Sequence, residues 1–169
     1  MRLPIPSNMK NSSKIKIFLV DDDIMFIESL KRLLIDKRAV IKTFSCGEEC
    51  LKNLKEYPQI IVLDYALNNS LNGVQVLNRI KQYSPDTKVI MLSGNTKSGI
   101  KADTLKYGAY DFIEKSEDGM LDVQKEVKQM YDEIESNDNF DREKREMWWI
   151  NGGILVLIFL MYLINHLKK

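Results

Sequence analysis

Ile60-Ile61-Val62-Leu63-Asp64 is a short apolar run, mostly β-branched, that ends in a carboxylate. An apolar run without polar alternation is typical of a central strand in a parallel sheet whose two faces are covered by helices. Asp64 would then lie at the carboxyl end of its strand, where the ligands of open parallel α/β sheets bind. This run therefore predicts the class of the fold and the edge of the sheet that carries its site.

Apolar segments alternate with helical patterns through most of the remaining chain. Further strands are predicted over 15–20, 40–44, 88–92 and 111–114, and helices over 24–36, 47–57, 74–83, 97–107 and 118–135. This alternation predicts an α/β fold with a doubly wound parallel sheet. Right-handed crossovers would bring the carboxyl ends of all the strands to one rim of that sheet.

Ionisable and hydroxyl side chains follow the predicted strands at this rim. Asp21, Asp22 and Asp23 follow the first strand, and Ser93 and Lys115 follow the last two. Asp23 is explained as the N-cap of the next helix. The other two carboxylates repel each other unless a cation neutralises them. A serine or a lysine after a strand is ordinarily a turn residue or a solvated one, so the prediction of a site depends on their joint placement.

The chemistry available to this set is narrow. Carboxylates that cluster without Cys or His ligands suit a hard divalent cation, and Mg²⁺ fits best. Phosphoryl transfer depends mainly on positioning and on neutralisation of charge. Asp64 is therefore predicted to be a nucleophile that forms an acyl phosphate, with Ser93 and Lys115 holding the other phosphoryl oxygens.

Composition excludes several other classes of function. The chain has 169 residues and a formal net charge of +1 at pH 7, so no broad attraction to nucleic acid is expected. Cys46 and Cys50, one helical turn apart, are interpreted as reduced thiols that pack in a cytosolic core rather than as a metal or redox site. The only histidine, His166, lies too far along the chain to complete a zinc site with them.

Four motifs, taken together and in order, resemble the response regulator receiver domain of two-component signalling over about residues 14–131. They are Phe-Leu-Val-Asp-Asp-Asp at 18–23, Val-Leu-Asp at 62–64, Val-Ile-Met-Leu-Ser-Gly at 89–94 and Gly-Ala-Tyr-Asp-Phe-Ile-Glu-Lys at 108–115. The resemblance implies a flavodoxin-like sheet of five strands in the order 2-1-3-4-5. It also implies that a sensor histidine kinase or a phosphotransfer protein donates the phosphoryl group.

The resemblance assigns a role to each matching residue. Asp22 would bind Mg²⁺ directly, and Asp21 mainly through water. Asp64 would bind the ion and accept the phosphoryl group, and the backbone carbonyl of Ala66 would supply another ligand. Ser93 and Lys115 would contact the phosphoryl oxygens. The family's switch aromatic corresponds to Phe112, which would turn inward as Ser93 moves. In this chain Ser116 stands where the family usually has a proline after the lysine, which leaves the shape of that loop open.

The two ends of the chain are predicted to differ from the receiver, which is assigned to 14–135. Residues 1–13 are interpreted as a flexible arm, and 136–146 as a polar linker or a solvated helical extension. Residues 147–167 contain an unbroken apolar run at 154–164, next to Trp148 and Trp149, and predict a transmembrane helix. Asn151 and two glycines weaken this interpretation, and the alternative is an amphipathic or dimerising helix. Basic residues before 147 favour a single-pass membrane protein whose receiver is cytoplasmic.

The sequence thus predicts a membrane-tethered phosphoacceptor that signals through phosphorylation-dependent contacts with a downstream protein, and that is not an enzyme. Two alternatives remain. A phosphatase with an aspartyl intermediate would need a second acid beside its nucleophile and a covering cap, and residues 64–66 offer neither. A receiver-fold scaffold that is never phosphorylated would not need the five site residues that this chain retains.

Overall fold

A five-stranded parallel sheet forms the centre of the computed structural model, which describes residues 14–67, 71–94 and 98–167. The strand order is β2-β1-β3-β4-β5, which confirms the predicted flavodoxin-like sheet. The strands are β1 (Ile15–Val20), β2 (Ala39–Phe44), β3 (Ile60–Asp64), β4 (Lys88–Ser93) and β5 (Asp111–Glu114). The predicted arm at 1–13 lies outside the described residues.

Helices connect the strands. They are α1 (Ile24–Leu33), α2 (Gly47–Asn53), a 3-10 helix (Leu54–Glu56), α3 (Gly73–Tyr83), α4 (Ser98–Lys106) and α5 (Glu117–Leu167). The prediction that the first helix continues to Asp36 is wrong, because the Asp36 carboxylate instead accepts a hydrogen bond from the backbone N–H of Arg38, at 2.8 Å, and forms a turn. The second helix, predicted over 47–57, is α-helical only to Asn53 and continues as the 3-10 helix, which ends at Tyr57 with a left-handed φ of 55°. Cys46 is the N-cap of α2 and not part of it.

The central strand is buried along its whole length, as its composition predicts. All five residues of β3 are buried, and Ile60, Ile61 and Leu63 have no exposed surface. Transfer of each such side chain from water contributes about 1.5–3 kcal/mol to folding. The edge strand β2, by contrast, alternates partly buried and exposed residues.

The register of the sheet places the strand ends side by side. Asp64 in β3 pairs with Leu92 in β4, and Ser93 in β4 pairs with Glu114 in β5. The backbone N–H of Lys115 donates to the carbonyl of Ser93, at 3.0 Å. The carboxyl ends of these strands therefore form one rim, as the right-handed crossovers predict.

The chain divides into two units, Met1–Tyr131 and Asp132–Lys169. In the first unit, α5 buries Val123, Val127, Met130 and Tyr131. Residues 136–146 of the second unit are helical.

The second unit gives no support to the predicted transmembrane helix at 147–167. In the portion of the chain that the structure describes, no helix combines the length and the apolar character needed to cross a membrane. The side chains of 154–167, which carry the apolar run, lie outside that portion. Among the described side chains of this unit, Phe140, Met147, Trp148 and Trp149 are exposed.

Candidate functional site

Three carboxylates meet at the carboxyl rim of the sheet. One oxygen from each of Asp21, Asp22 and Asp64 lies within 4.8 Å of the others. Asp21 and Asp64 are each only 2% exposed, and Asp22 is partly buried. Buried carboxylates are costly unless a cation or hydrogen bonds compensate their charge. The cluster therefore requires a positively charged partner.

Lys115 supplies part of that positive charge. Its Nζ donates to Asp21 Oδ1 at 2.8 Å and to Asp64 Oδ2 at 3.2 Å. The lysine side chain is 17% exposed, so these ion pairs are partly shielded from water. The ammonium of Lys115 thus compensates charge on two of the three carboxylates.

Burial and these contacts shift the pKa values of Asp21 and Lys115. Burial raises the pKa of Asp21, although hydrogen bonds from Lys115 and from the backbone N–H of Asp23 oppose the effect. Burial alone would lower the pKa of Lys115, but the hydrogen bond to Asp21 and the charge of Asp64 outweigh it, and that pKa is raised. The ammonium therefore stays charged across the whole neutral range.

The donor set fits magnesium. All three side chains offer oxygen ligands, which Mg²⁺ prefers. The buried Oδ2 of Asp21 lies 2.8 Å from Lys115 Nζ, yet no described residue gives it a well-formed hydrogen bond. Such an oxygen retains lone pairs for a cation. The predicted fourth ligand, the carbonyl of Ala66, belongs to an exposed residue whose N–H donates to Asp64 Oδ1 at 3.2 Å.

The three adjacent aspartates divide their roles. Asp23 N-caps α1, because its carboxylate accepts a hydrogen bond from the backbone N–H of Phe26 at 3.1 Å. The backbone N–H of Asp23 in turn donates to Asp21 Oδ1 at 2.8 Å. The capping prediction for Asp23 is thus confirmed, and the same turn fixes the orientation of the Asp21 carboxylate.

A glycine lets α3 begin directly beside the Asp64 backbone. Any Cβ at Gly73 would collide with the carbonyl oxygen of Asp64 and the Cα of Tyr65. The N–H of Gly73 donates to the carbonyl of Tyr65 at 3.1 Å, and Asn72 forms a capping box with Gln75. These contacts hold the chain on both sides of the loop that follows β3.

The ends of β4 and β5 contribute the remaining predicted residues. Ser93 is 1% exposed and Phe112 is 5% exposed, and Phe112 belongs to a cluster of buried hydrophobic residues. The inward position of this ring is therefore the one that the structure contains. The rim brings together Asp21, Asp22, Asp64 and Lys115 as predicted, with Ser93 on the neighbouring strand end.

The loop after Lys115 begins a helix at once. The backbone N–H of Gly119 donates to the Ser116 hydroxyl at 3.0 Å, so Ser116 caps the start of α5. A Cβ at Gly119 would collide with the carbonyl oxygen of Glu114. None of the peptide bonds of the described residues is cis. Serine capping thus gives this loop a defined shape where the family usually has proline.

Sequence reasoning missed one neighbour of the site. The ring centroid of Phe26, in the first turn of α1, lies 5.1 Å from Lys115 Nζ. No local pattern indicates this contact, because the two residues are distant in sequence. Both cysteines are free, and burial, assisted by Cys46, raises the pKa of Cys50 to about 12.

Comparisons with known proteins identify the family of this chain. Residues 17–125 match the model of the response regulator receiver domain. The chain is 32% identical over 103 residues to the chemotaxis protein CheY of Listeria monocytogenes, covering 60% of this chain and 86% of that one. It is 30% identical over 124 residues to the transcriptional regulatory protein DegU of Brevibacillus brevis, covering 70% of this chain. The chain spans about half of DegU, 52% of its length.

Solved structures agree with these relatives. The CheX-CheY-BeF3-Mg complex of Borrelia burgdorferi contains a chain that is 26% identical, with a TM-score of 0.63, over 69% of this chain and 89% of that one. A CheY-like receiver domain of Methanospirillum hungatei is 25% identical, with a TM-score of 0.66, over 74% and 99%. With its sheet order, its acidic rim and the family match over most of its length, this chain belongs to the response regulator receiver domain family.

Proposed function

We propose that Asp64 accepts a phosphoryl group, in a Mg²⁺-dependent reaction, from the phosphohistidine of a sensor histidine kinase or a phosphotransfer protein. The observation that carries the proposal is the position of the Asp64 carboxylate. It is buried at the rim, it lies beside two further carboxylates, and its Oδ2 is 3.2 Å from Lys115 Nζ. A carboxylate in such a setting has both a cation site and an ammonium at hand.

The side chains have separate tasks in the transfer. A carboxylate oxygen of Asp64 attacks phosphorus, and the bond from phosphorus to the donor nitrogen breaks. The electron pair of that bond stays on the donor imidazole, and Asp64 becomes an acyl phosphate. Lys115 and Ser93 would hold the oxygens of the transferred group, and Asp21 and Asp22 would hold the ion with Asp64. Bound magnesium would neutralise the charge that gathers around phosphorus.

Signalling would follow from a change at Ser93 and Phe112. Movement of the Ser93 hydroxyl toward the phosphoryl group opens space beside β4, and the Phe112 ring exchanges between an outward and an inward position. The inward position is supported by its burial among core residues. A downstream protein would distinguish the two states by its contacts with this face. The chain would act as a signalling module and not as an enzyme.

Membrane attachment is the second part of the proposal, and it rests on sequence alone. The run at 154–164 is apolar on all sides, and Trp148 and Trp149 precede it as interfacial residues would. The receiver would then face the cytoplasm. Flotation of the full chain with phospholipid vesicles tests this, with Leu157→Arg as the variant that should stay in the soluble fraction. Equal flotation of both would refute attachment through this run.

Phosphorylation by acetyl phosphate in Mg²⁺ tests the first part. Wild type should incorporate one phosphoryl group, Asp64→Asn none, and removal of the ion by a chelator should stop incorporation. Asp86→Asn is the matched control, since Asp86 is an exposed aspartate away from the rim. The scaffold alternative predicts no incorporation by any of these proteins, and the phosphatase alternative predicts continuous release of inorganic phosphate from a phosphomonoester.

A further inference from the structure

An aromatic ring covers the ammonium group of the site lysine. The Phe26 centroid lies 5.1 Å from Lys115 Nζ, within the range at which a ring face attracts a cation. The same ammonium donates to Asp21 and Asp64 on its other sides. Lys115 is thus held by two carboxylates and one ring, each from a different segment of the chain.

The cap of α1 holds the backbone from which the Phe26 ring extends. The backbone N–H of Phe26 donates to the Asp23 carboxylate at 3.1 Å, and the N–H of Asp23 donates to Asp21 Oδ1. Ring and carboxylate therefore belong to one hydrogen-bonded turn. A shift of this turn would move the ring and the Asp21 carboxylate together.

Lysine needs such a support more than most residues would. Its ammonium ends a flexible four-carbon stem, and fixing that stem costs rotamer entropy. Two carboxylates each accept one hydrogen bond from the ammonium. A ring face on a further side adds a third contact that limits its motion, and this attraction is stronger where water is partly excluded. The Lys115 side chain is 17% exposed, so this condition is met.

We infer that Phe26 is a positioning residue for phosphoryl transfer: its ring holds the Lys115 ammonium at the place where it meets the incoming phosphoryl oxygens. The inference rests on the proposed role of Asp64. It adds a part of the site that lies in α1 rather than at a strand end. It also means that a partner which displaces the first turn of α1 would loosen Lys115 and slow transfer.

Two substitutions separate the ring face from simple packing. Phe26→Leu keeps an apolar side chain of similar size but has no ring, whereas Phe26→Tyr keeps the ring. The first readout is the NMR signal of the Lys115 ε-methylene protons in the unphosphorylated full chain. Ring current should shift this signal upfield in wild type and in Phe26→Tyr, and the shift should be lost in Phe26→Leu.

The second readout is the rate of phosphorylation by acetyl phosphate in Mg²⁺, under conditions where unfolding curves show every variant to be folded. Phe26→Leu should slow the reaction roughly 3- to 10-fold, the size expected for one cation–π contact, and Phe26→Tyr should restore the wild-type rate. The inference is overturned if the lysine signal is unshifted in wild type, or if both variants react at one rate. Absence of phosphorylation in wild type would refute the role of Asp64, and the NMR comparison would then decide the ring contact alone.

Discussion

The two ends of the sheet bury polar groups in opposite ways. At the amino end, Thr87 is 2% exposed, and its hydroxyl donates to the carbonyl of Pro58 at 2.9 Å. Lys81 Nζ there donates to the carbonyl of Thr87 at 2.6 Å. At the carboxyl end, Asp21 and Asp64 are equally buried but face each other and one ammonium. At the amino end the buried polar groups close turns, and at the carboxyl end they concentrate charge.

The largest expected effect is on the rate of phosphorylation, and it should differ between the two partly buried lysines, Lys115 and Lys81. Lys115→Ala should lower the rate of phosphorylation by about 10²–10³, because it removes the only ammonium that contacts Asp64 among the described residues. Lys81→Met should leave that rate unchanged, since its bonds are to backbone carbonyls of the amino end. Initial rates with acetyl phosphate check both. An equal loss of phosphorylation rate in the two variants would contradict the view that only the carboxyl end of the sheet takes part in the reaction.

Two glycines give the next effect, on stability. Gly119→Ala should lower the free energy of unfolding by about 1–3 kcal/mol, because the new Cβ would collide with the Glu114 carbonyl just before Lys115. Gly94→Ala is the matched control, since a Cβ there meets no atom of the described residues within 4 Å. Urea unfolding of both variants measures the difference. A harmless Gly119→Ala would mean that α5 does not need this close approach.

The buried hydroxyl of the amino end should matter to stability alone. Thr87→Val should lower the free energy of unfolding by about 1–2 kcal/mol, because the carbonyl of Pro58 loses its donor while the shape is kept. Asp64→Asn, equally buried, should not lower stability in buffer without divalent cations, since it removes repulsion from the acidic cluster. Chemical denaturation of Thr87→Val and Asp64→Asn measures the two changes in the free energy of unfolding. A larger loss from Asp64→Asn would show that its charge is needed for folding.

The smallest effect is a pH dependence at the rim. Burial raises the pKa of Asp21, so the folded protein holds that proton more tightly than the unfolded chain does. The resulting contribution to stability is complete below the ordinary carboxyl pKa of about 3.9 and is lost as pH rises through the folded value. Asp21→Asn should therefore be slightly more stable than wild type at neutral pH without divalent cations, and equal to it in acid. Thermal unfolding at several pH values measures the difference, and an advantage that grew in acid would reverse the sign of the argument.

The carboxyl end was predictable from sequence because each part of it follows a general rule. The apolar run at 60–64 indicated a central strand, and right-handed crossovers then placed Asp21, Ser93 and Lys115 at its carboxyl rim. The role of Asp23 as a cap followed from its position before α1. These inferences need only the order of the elements and not their detailed packing.

Other features depend on contacts that no local pattern records. Helix α1 ends earlier than predicted, and the Asp36 carboxylate beyond it accepts a hydrogen bond from the backbone N–H of Arg38. Tyr57 adopts a left-handed conformation, which sequence patterns predict mainly for glycine. Tyr131 is buried, and the Arg38 guanidinium lies over its ring, 4.6 Å from the centroid. The ring of Phe26 meets Lys115 only after the sheet has formed. The contacts of Tyr131 with Arg38 and of Phe26 with Lys115 join residues that lie far apart along the chain.

The most direct test of the account is the position of the phosphoryl group. After reaction with acetyl phosphate in Mg²⁺, borohydride reduces an aspartyl phosphate to homoserine, and tandem mass spectrometry locates the changed residue. The account predicts homoserine at position 64 and nowhere else, with none formed when a chelator removes the ion. Unmodified Asp64 in folded protein, or homoserine at another aspartate, would contradict it.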